Sequence, residues 1–250
     1  MLRRRDILAC CAVAMLAAPV LEAQSGRGFL FRQPRATITL FGGFALPNAG
    51  SDLFDLSTTE LTLDRNDFSG GDFGADLAMR LTDRFDVVLG FSSSQSRERS
   101  EFRDWVGTDD LPIEQVTTFK RAPVALSVRF HALERGRSVG SFAWIPSRFD
   151  PWVGAGVGKM RYSFRQVGDF IDYSTDPDNP VIFFDDYKSD GWANMLQASA
   201  GTGWNLTPRM QLTGELRYIK ASAELGGDFV GFERLDLSGL ATTLGLSFRL

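Results

Sequence analysis

The stretch Thr243-Leu-Gly-Leu-Ser-Phe-Arg-Leu250 alternates strictly. Leu244, Leu246, Phe248 and Leu250 share one face; Thr243, Gly245, Ser247 and Arg249 share the other. Period two reads as a β-strand with two unlike faces. Working back from it, the same rhythm marks eight strands, near 35–46, 72–81, 85–95, 116–131, 151–164, 192–206, 210–220 and 235–250. In the first, Ile38, Leu40, Phe44 and Leu46 oppose Thr37 and Thr39. In the second, Phe73, Ala75, Leu77 and Met79 oppose Gly74, Asp76, Ala78 and Arg80. In the fifth, Trp152, Met160, Tyr162 and Phe164 oppose Lys159, Arg161 and Ser163. In the seventh, Leu212, Leu216 and Tyr218 oppose Gln211, Thr213, Glu215 and Arg217.

The connections alternate long and short. Thr82-Asp-Arg84 and Thr207-Pro-Arg209 are tight turns. The segment 132–150 is a longer connection with room for a helical turn. Long polar loops fall at 47–71, 96–115, 166–190 and 222–234. Pro123 cannot donate a ladder hydrogen bond, so a bulge or an edge-like irregularity is expected there. The alternation of the last strand changes phase near Gly239, which predicts a bulge. No linker or second domain interrupts the rhythm.

Apolar residues make up 44% of the chain. No apolar run reaches the ~20 residues of a helical membrane span. Met1-Leu-Arg-Arg-Arg-Asp6 is a basic start, residues 7–18 are apolar, and Leu21-Glu-Ala23 offers a small residue for cleavage. That is the order of a secretory signal peptide over residues 1–23, followed by a short polar leader, 24–34. Arg4-Arg5-Asp-Ile-Leu8 also resembles a twin-arginine signal, so the export route stays open. Cys10 lies inside the apolar segment, too early for a lipoprotein site. Both cysteines, Cys10 and Cys11, leave with the signal, which excludes disulfide and thiol chemistry from the mature chain. Cleavage removes three of the 27 basic residues and two of the 31 acidic ones, leaving 24 − 29 = −5. That balance does not fit a nucleic-acid partner, whose footprint would be basic and clustered.

Three features point the apolar faces outward. Gly74, Ala78, Ala125, Gly201, Gly203 and Gly245 sit on the same faces as charged and polar residues. An eight-stranded barrel is only just wide enough inside for side chains, so small residues belong beside Arg and Glu there. Aromatic residues gather near strand ends: Phe85, Phe130, Trp152, Trp204 and Phe248 toward the short turns, Tyr162, Phe164, Trp192 and Tyr218 toward the long loops. Such rings favour the two membrane interfaces. The long loops also lie at one end only. A soluble ligand-binding barrel with its apolar faces inward is the alternative.

This pattern resembles the small eight-stranded bacterial outer-membrane β-barrels related to OmpA, OmpW and the opacity proteins. The resemblance covers nearly all of 35–250. It rests on the hairpin rhythm, on Pro151-Trp-Val-Gly-Ala-Gly-Val-Gly158, and on the Thr207-Pro-Arg209 turn with Glu215-Leu-Arg-Tyr218 after it. It rests also on Thr243, Gly245, Phe248 and Leu250, placed as in the assembly signal of such barrels. Two departures are the length of 132–150 and the lack of a wall-binding domain after the barrel. The resemblance implies an all-β, antiparallel up-and-down transmembrane barrel in the cell outer membrane, with both termini periplasmic. Its implied partners are outer-membrane lipid and lipopolysaccharide, the barrel assembly machinery, and an extracellular ligand held by the loops. The implied role is structural or surface interaction. A narrow channel for small or hydrophobic solutes is the alternative, and a lipid-modifying enzyme a third.

Within that frame the inward charges are the candidate site. Asp76, Lys159, Arg161, Glu215 and Arg217 fall near mid-height, as paired charges that plug the lumen or as a gate. Arg80, Asp86, Arg129 and Arg249 fall nearer the periplasmic mouth, in water. Phe85, Phe130, Trp152, Tyr162, Trp192, Trp204 and Tyr218 form the expected aromatic girdles. His131, the single histidine, reads as a solvated interfacial residue. One histidine and no cysteine make no zinc site, and no serine stands beside it in a hydrolase pattern. The loop 168–190 is rich in Asp, including Asp176 and Asp178, but lacks the order of a calcium hand and reads as a solvated surface. Val181-Ile-Phe-Phe184 within it reads as a loop cap or a contact for lipid, glycan or a partner. Gly154, Gly156 and Gly158 alternate at strand period and open no helix, so they form no nucleotide loop. No cofactor or metal is expected.

Overall fold

The computed structural model describes residues 28–107, 110–172 and 181–250. The expected signal segment, with Cys10 and Cys11, and the residues Asp176 and Asp178 lie outside them.

Strands β1 (Ala36–Pro47), β2 (Gly70–Arg80), β3 (Phe85–Val106) and β4 (Pro112–His131) run antiparallel in chain order. A small hairpin, β5 (Gly136–Val139) and β6 (Ala143–Pro146), comes next. Then follow β7 (Phe149–Asp172), β8 (Val181–Asn205), β9 (Met210–Ala223), β10 (Leu235–Asp236) and β11 (Gly239–Arg249). The wall order is β1-β2-β3-β4-β7-β8-β9-β11, and β11 pairs with β1 from Thr37↔Arg249 to Pro47↔Gly239. Eight strands therefore close a ring with no free edge, and every wall strand finds a hydrogen-bonding partner on both sides.

The alternation chooses the faces. Leu89, Leu126, Val157 and Leu196 stand side by side across β3, β4, β7 and β8 and are 52%, 56%, 58% and 59% exposed on the outside. Thr39, Asp76, Ser127, Thr213 and Ser247 are buried inside. Apolar-out and polar-in is the arrangement of a barrel surrounded by lipid.

Four expectations change. First, β7 turns inward the face opposite to the one expected, along its whole length. Lys159 and Arg161 are exposed on the outer wall, and Trp152, Met160, Tyr162 and Phe164 are buried inside. Lys159 and Arg161 thus leave the lumen set, and Trp152 and Tyr162 leave the girdles. Trp152 turns inward onto the Arg129 guanidinium; above Gly158 the physical reason is a plug. Residues 47–71 carry a helix, α1 (Asp52–Glu60), not only polar loop. Asp52 and Asp55 occupy its first turn, where the helix dipole favours acids. Leu53, Phe54 and Ser57 lie on its buried face. Phe54 packs edge-on to Phe68, Phe119 and Phe164 at 4.7, 5.4 and 5.7 Å. The upper interior is therefore apolar, and Met160, Tyr162 and Phe164 belong to it.

Second, the last strand does not shift phase. Leu235↔Ala223 and Gly239↔Ile219 keep one register on β9. Leu235 and Leu237 point inward onto the plug, so the inner face changes from apolar to polar without a bulge. Third, the described parts of 96–115 and 166–190 are largely strand: the β3–β4 and β7–β8 hairpins project well past β1, β2 and β11. At Pro123 the β3–β4 ladder lapses opposite Ser92 and resumes in the same register at Ser94↔Arg121, without a bulge. Fourth, 132–150 holds the β5–β6 hairpin and no helical turn. Its Trp144 is buried and exchanges backbone hydrogen bonds with Leu30 at 2.8 Å in both directions, tying the leader across the short-turn end.

Candidate functional site

The interior is filled at three levels. At mid-height Asp76 (β2), Arg129 (β4), Glu215 and Arg217 (β9) form a buried cluster. Strand alternation aims each of them inward. Arg129 Nη2 donates to Asp76 Oδ2 at 2.5 Å and to Glu215 Oε2 at 2.9 Å. Arg217 Nε donates to Glu215 Oε1 at 2.8 Å, and Arg217 Nη2 stands 3.7 Å from Asp76 Oδ2. Two carboxylates and two guanidinium groups close on one another, which is how charge becomes tolerable away from water. Aromatic faces complete the shell. The Arg129 guanidinium lies 4.0 Å from the Trp152 ring centre, and that of Arg217 5.2 Å from Phe41. Glycines make room for these rings: a Cβ on Gly201 would come within 2.4 Å of the Trp152 ring.

Of the sequence candidates, the structure brings Asp76, Glu215 and Arg217 together and puts Lys159 and Arg161 elsewhere. Arg129, read as a wet residue near the mouth, is the centre of the cluster. Its inward direction was legible, because Arg129 shares the face of Ala125 and Ser127; the register then sets it beside Gly154 of β7, which leaves space for a long side chain.

Below the cluster, His131 is buried and not solvated. Its Nδ1 is 2.6 Å from Asp150 Oδ1 and its Nε2 is 3.1 Å from Asp86 Oδ2. Arg135 grips Asp86 through Nη1 at 2.6 Å and Nη2 at 2.9 Å. With both ring nitrogens engaged, the imidazole has none left to act as base toward a serine. Trp144 and Arg249 stack at this end, 5.6 Å apart. The space among these groups is about 40 Å³, and a second internal space beside Arg121 and Met160 is about 20 Å³. A water needs roughly 10–15 Å³, so these spaces suit isolated waters and not a stream.

On the outer wall, Phe85 and Phe130 stack at 5.2 Å, and Phe149 and Trp204 at 4.8 Å, close to the short turns. Trp192 and Tyr218 are exposed toward the other end. Phe248 and Leu250 also face outward, while Thr243 and Gly245 face in, on the strand that closes the ring. Above the apolar wall, Arg165 Nε donates to Asp186 Oδ1 at 2.6 Å across the β7–β8 hairpin. That hydrogen bond is the chief reason Asp186 sits below the usual carboxylate range. Among the described residues no group of His, Cys, Asp and Glu is arranged to hold a metal.

A closed ring with an apolar outer belt, a paired ionic interior and aromatic residues at both rims defines a strand-spanning bacterial outer-membrane β-barrel. No family model and no curated protein sequence matches the chain. Among solved structures it is similar to Neisserial surface protein A, at 12% identity over 86% of this chain and 96% of that one, with a TM-score of 0.47. It is similar also to the outer membrane protein OprG from Pseudomonas aeruginosa, at 15% identity over 87% and 97%, TM-score 0.46. A major outer membrane protein from Thermus thermophilus matches at 11% identity over 86% and 99%, TM-score 0.44.

Proposed function

We propose that the protein is a sealed outer-membrane barrel whose role is structural or surface interaction, with the β3–β4 and β7–β8 hairpins displayed outside the cell. The observation that carries this reading is the filled interior: the α1 plug above, the Arg129 cluster at mid-height, and Trp144 below. Solute passage would require all three to move. The short turns and the leader face the periplasm in this reading. Thr243, Gly245, Phe248 and Leu250 serve as the signal read by the assembly machinery. The narrow channel is the competing outcome.

The test is conductance of the refolded mature protein in a planar lipid bilayer. Silence from protein shown to be folded by its heat-dependent gel mobility is expected. Steady unitary currents would overturn the sealed reading. Orientation is tested separately in a chain that carries no cysteine after residue 23. On intact cells, Val106→Cys should react with a membrane-impermeant maleimide and Asp83→Cys should not. The reverse labelling would overturn the outward placement of the hairpins.

A further inference from the structure

We propose that the space between the Arg129 cluster and Trp144 is a binding site for one monovalent inorganic anion of chloride size, held chiefly by Arg249. The inference goes beyond the sealed-barrel reading and depends neither on the orientation of the barrel nor on its conductance.

The last strand supplies the central group. Alternation turns Arg249 inward, next to the outward Phe248, and leaves it only 7% exposed. Its Nη1 donates to the Pro208 carbonyl at 3.3 Å, and its guanidinium lies 5.6 Å from the Trp144 ring centre. Among the described residues it has no carboxylate within salt-bridge distance. The neighbouring guanidinium groups do have one. Arg80 meets Asp83 at 3.0 Å, Arg135 grips Asp86, and Arg129 is held by Asp76 and Glu215. A buried cation left without a counter-charge is costly.

Charge balance sets the valence. The two ring nitrogens of His131 face carboxylate oxygens of Asp150 and Asp86. Arg135 Nη1 also approaches Nε2, at 3.1 Å, but lies closer to Asp86 Oδ2, at 2.6 Å, and gives its proton there. Carboxylates only accept, so both ring nitrogens carry protons and the imidazole is a cation. Arg80, His131, Arg135 and Arg249 then face Asp83, Asp86 and Asp150. One positive charge is left over, and one monovalent anion neutralises it. Arg35, at the rim of the same space, is exposed to water. A divalent oxyanion would overshoot the balance and crowd Asp86 and Asp150, which line the space.

Size and donors agree with a small ion. The space is about 40 Å³. A water takes roughly 10–15 Å³ of such volume, so one ion and a water or two would fill it. Arg135 also lines it, and the Nε of that side chain is buried without a hydrogen-bond partner. It is a second N–H donor in the same wall, and hydrogen bonds from guanidinium groups to an anion are among the strong ones.

The test is urea unfolding of the whole mature barrel in neutral detergent, at constant ionic strength, with sodium chloride exchanged for sodium gluconate, whose anion is too large for the space. In the wild type the folding constant should rise about tenfold for each tenfold rise in chloride above its dissociation constant, and stay flat in gluconate. Arg249→Gln should lose the chloride response. Arg137→Gln, which removes an exposed cation of β5 outside the space, should keep it. A wild type indifferent to chloride, an Arg249→Gln barrel that still responds, or a loss shared by Arg137→Gln would overturn the site. Should Arg249→Gln fail to fold, wild-type crystals soaked in bromide decide. The anomalous signal of bromide should appear beside Arg249, and a space without it would overturn the proposal. A barrel that conducts in a bilayer yet answers to chloride in this way would break the sealed reading and leave the anion site standing.

Discussion

Strand β7 crosses two different environments, and its halves are built to opposite rules. Up to Gly158 its inner face is mostly glycine and its outer face carries Val153, Ala155 and Val157. From there on the inner face is Met160, Tyr162 and Phe164, and the outer face is Lys159, Arg161 and Arg165. The lower half meets arginines inside and hydrocarbon outside. The upper half meets the α1 plug inside and water outside. The comparison teaches that alternation fixes which residues share a face, while the surroundings decide which face turns inward.

The largest expected effect tests the lower half. Arg129→Ala leaves Asp76 and Glu215 short of a partner, and should cost about 3–5 kcal/mol in urea unfolding of the refolded barrel, the range for breaking one side of a buried pair. A loss under about 1 kcal/mol would mean that the cluster is wet. Phe54→Ala tests the upper half. Removing the ring from its contacts with Phe68, Phe119 and Phe164 should cost about 3 kcal/mol, in line with buried aromatic truncations. The loss should appear first as faster hydrogen exchange in α1, while the wall strands stay protected; unchanged exchange would refute the plug. Gly201→Ala sharpens the lower half, because the added methyl meets the Trp152 ring. It should cost roughly 1–3 kcal/mol by overpacking, read in the same urea experiment. Lys159→Ala should give the smallest change, within about 0.5 kcal/mol, because the side chain is exposed on the outer wall. A large loss there would return Lys159 to the lumen.

Much of this architecture was legible in the sequence. Strands such as 72–81, with Phe73, Leu77 and Met79 against Asp76 and Ala78, show their faces without ambiguity because one environment surrounds each side. The tight turns at Thr82 and Thr207 were legible for the same local reason. What was hidden depends on distant contacts. Phe54 and Leu53 sit in a segment punctuated by proline and glycine, and only the barrel mouth above Phe119 and Phe164 makes a core of them. Once that core is unseen, Phe164 looks like a wall residue and Arg161 like a lumen one. The central place of Arg129 was obscured similarly. Its height depends on strand stagger across β4 and β9, which one chain's alternation does not encode.

The Arg129 cluster joins β2, β4 and β9, strands distant in the chain. A sheet assembled only as far as β8 would give Arg129 one carboxylate and Asp76 one guanidinium; the second partner of each arrives with β9. Docking β9 and completing the neutralisation of these charges are therefore a single event, which leaves β11 to shut the ring onto β1. The cluster thus works as a clasp that makes assembly cooperative, because a half-built sheet would hold incompletely satisfied ions against lipid. Its contribution then falls on the order of folding as much as on the final stability, and partly assembled forms should be sparse wherever Asp76, Arg129, Glu215 and Arg217 are all present.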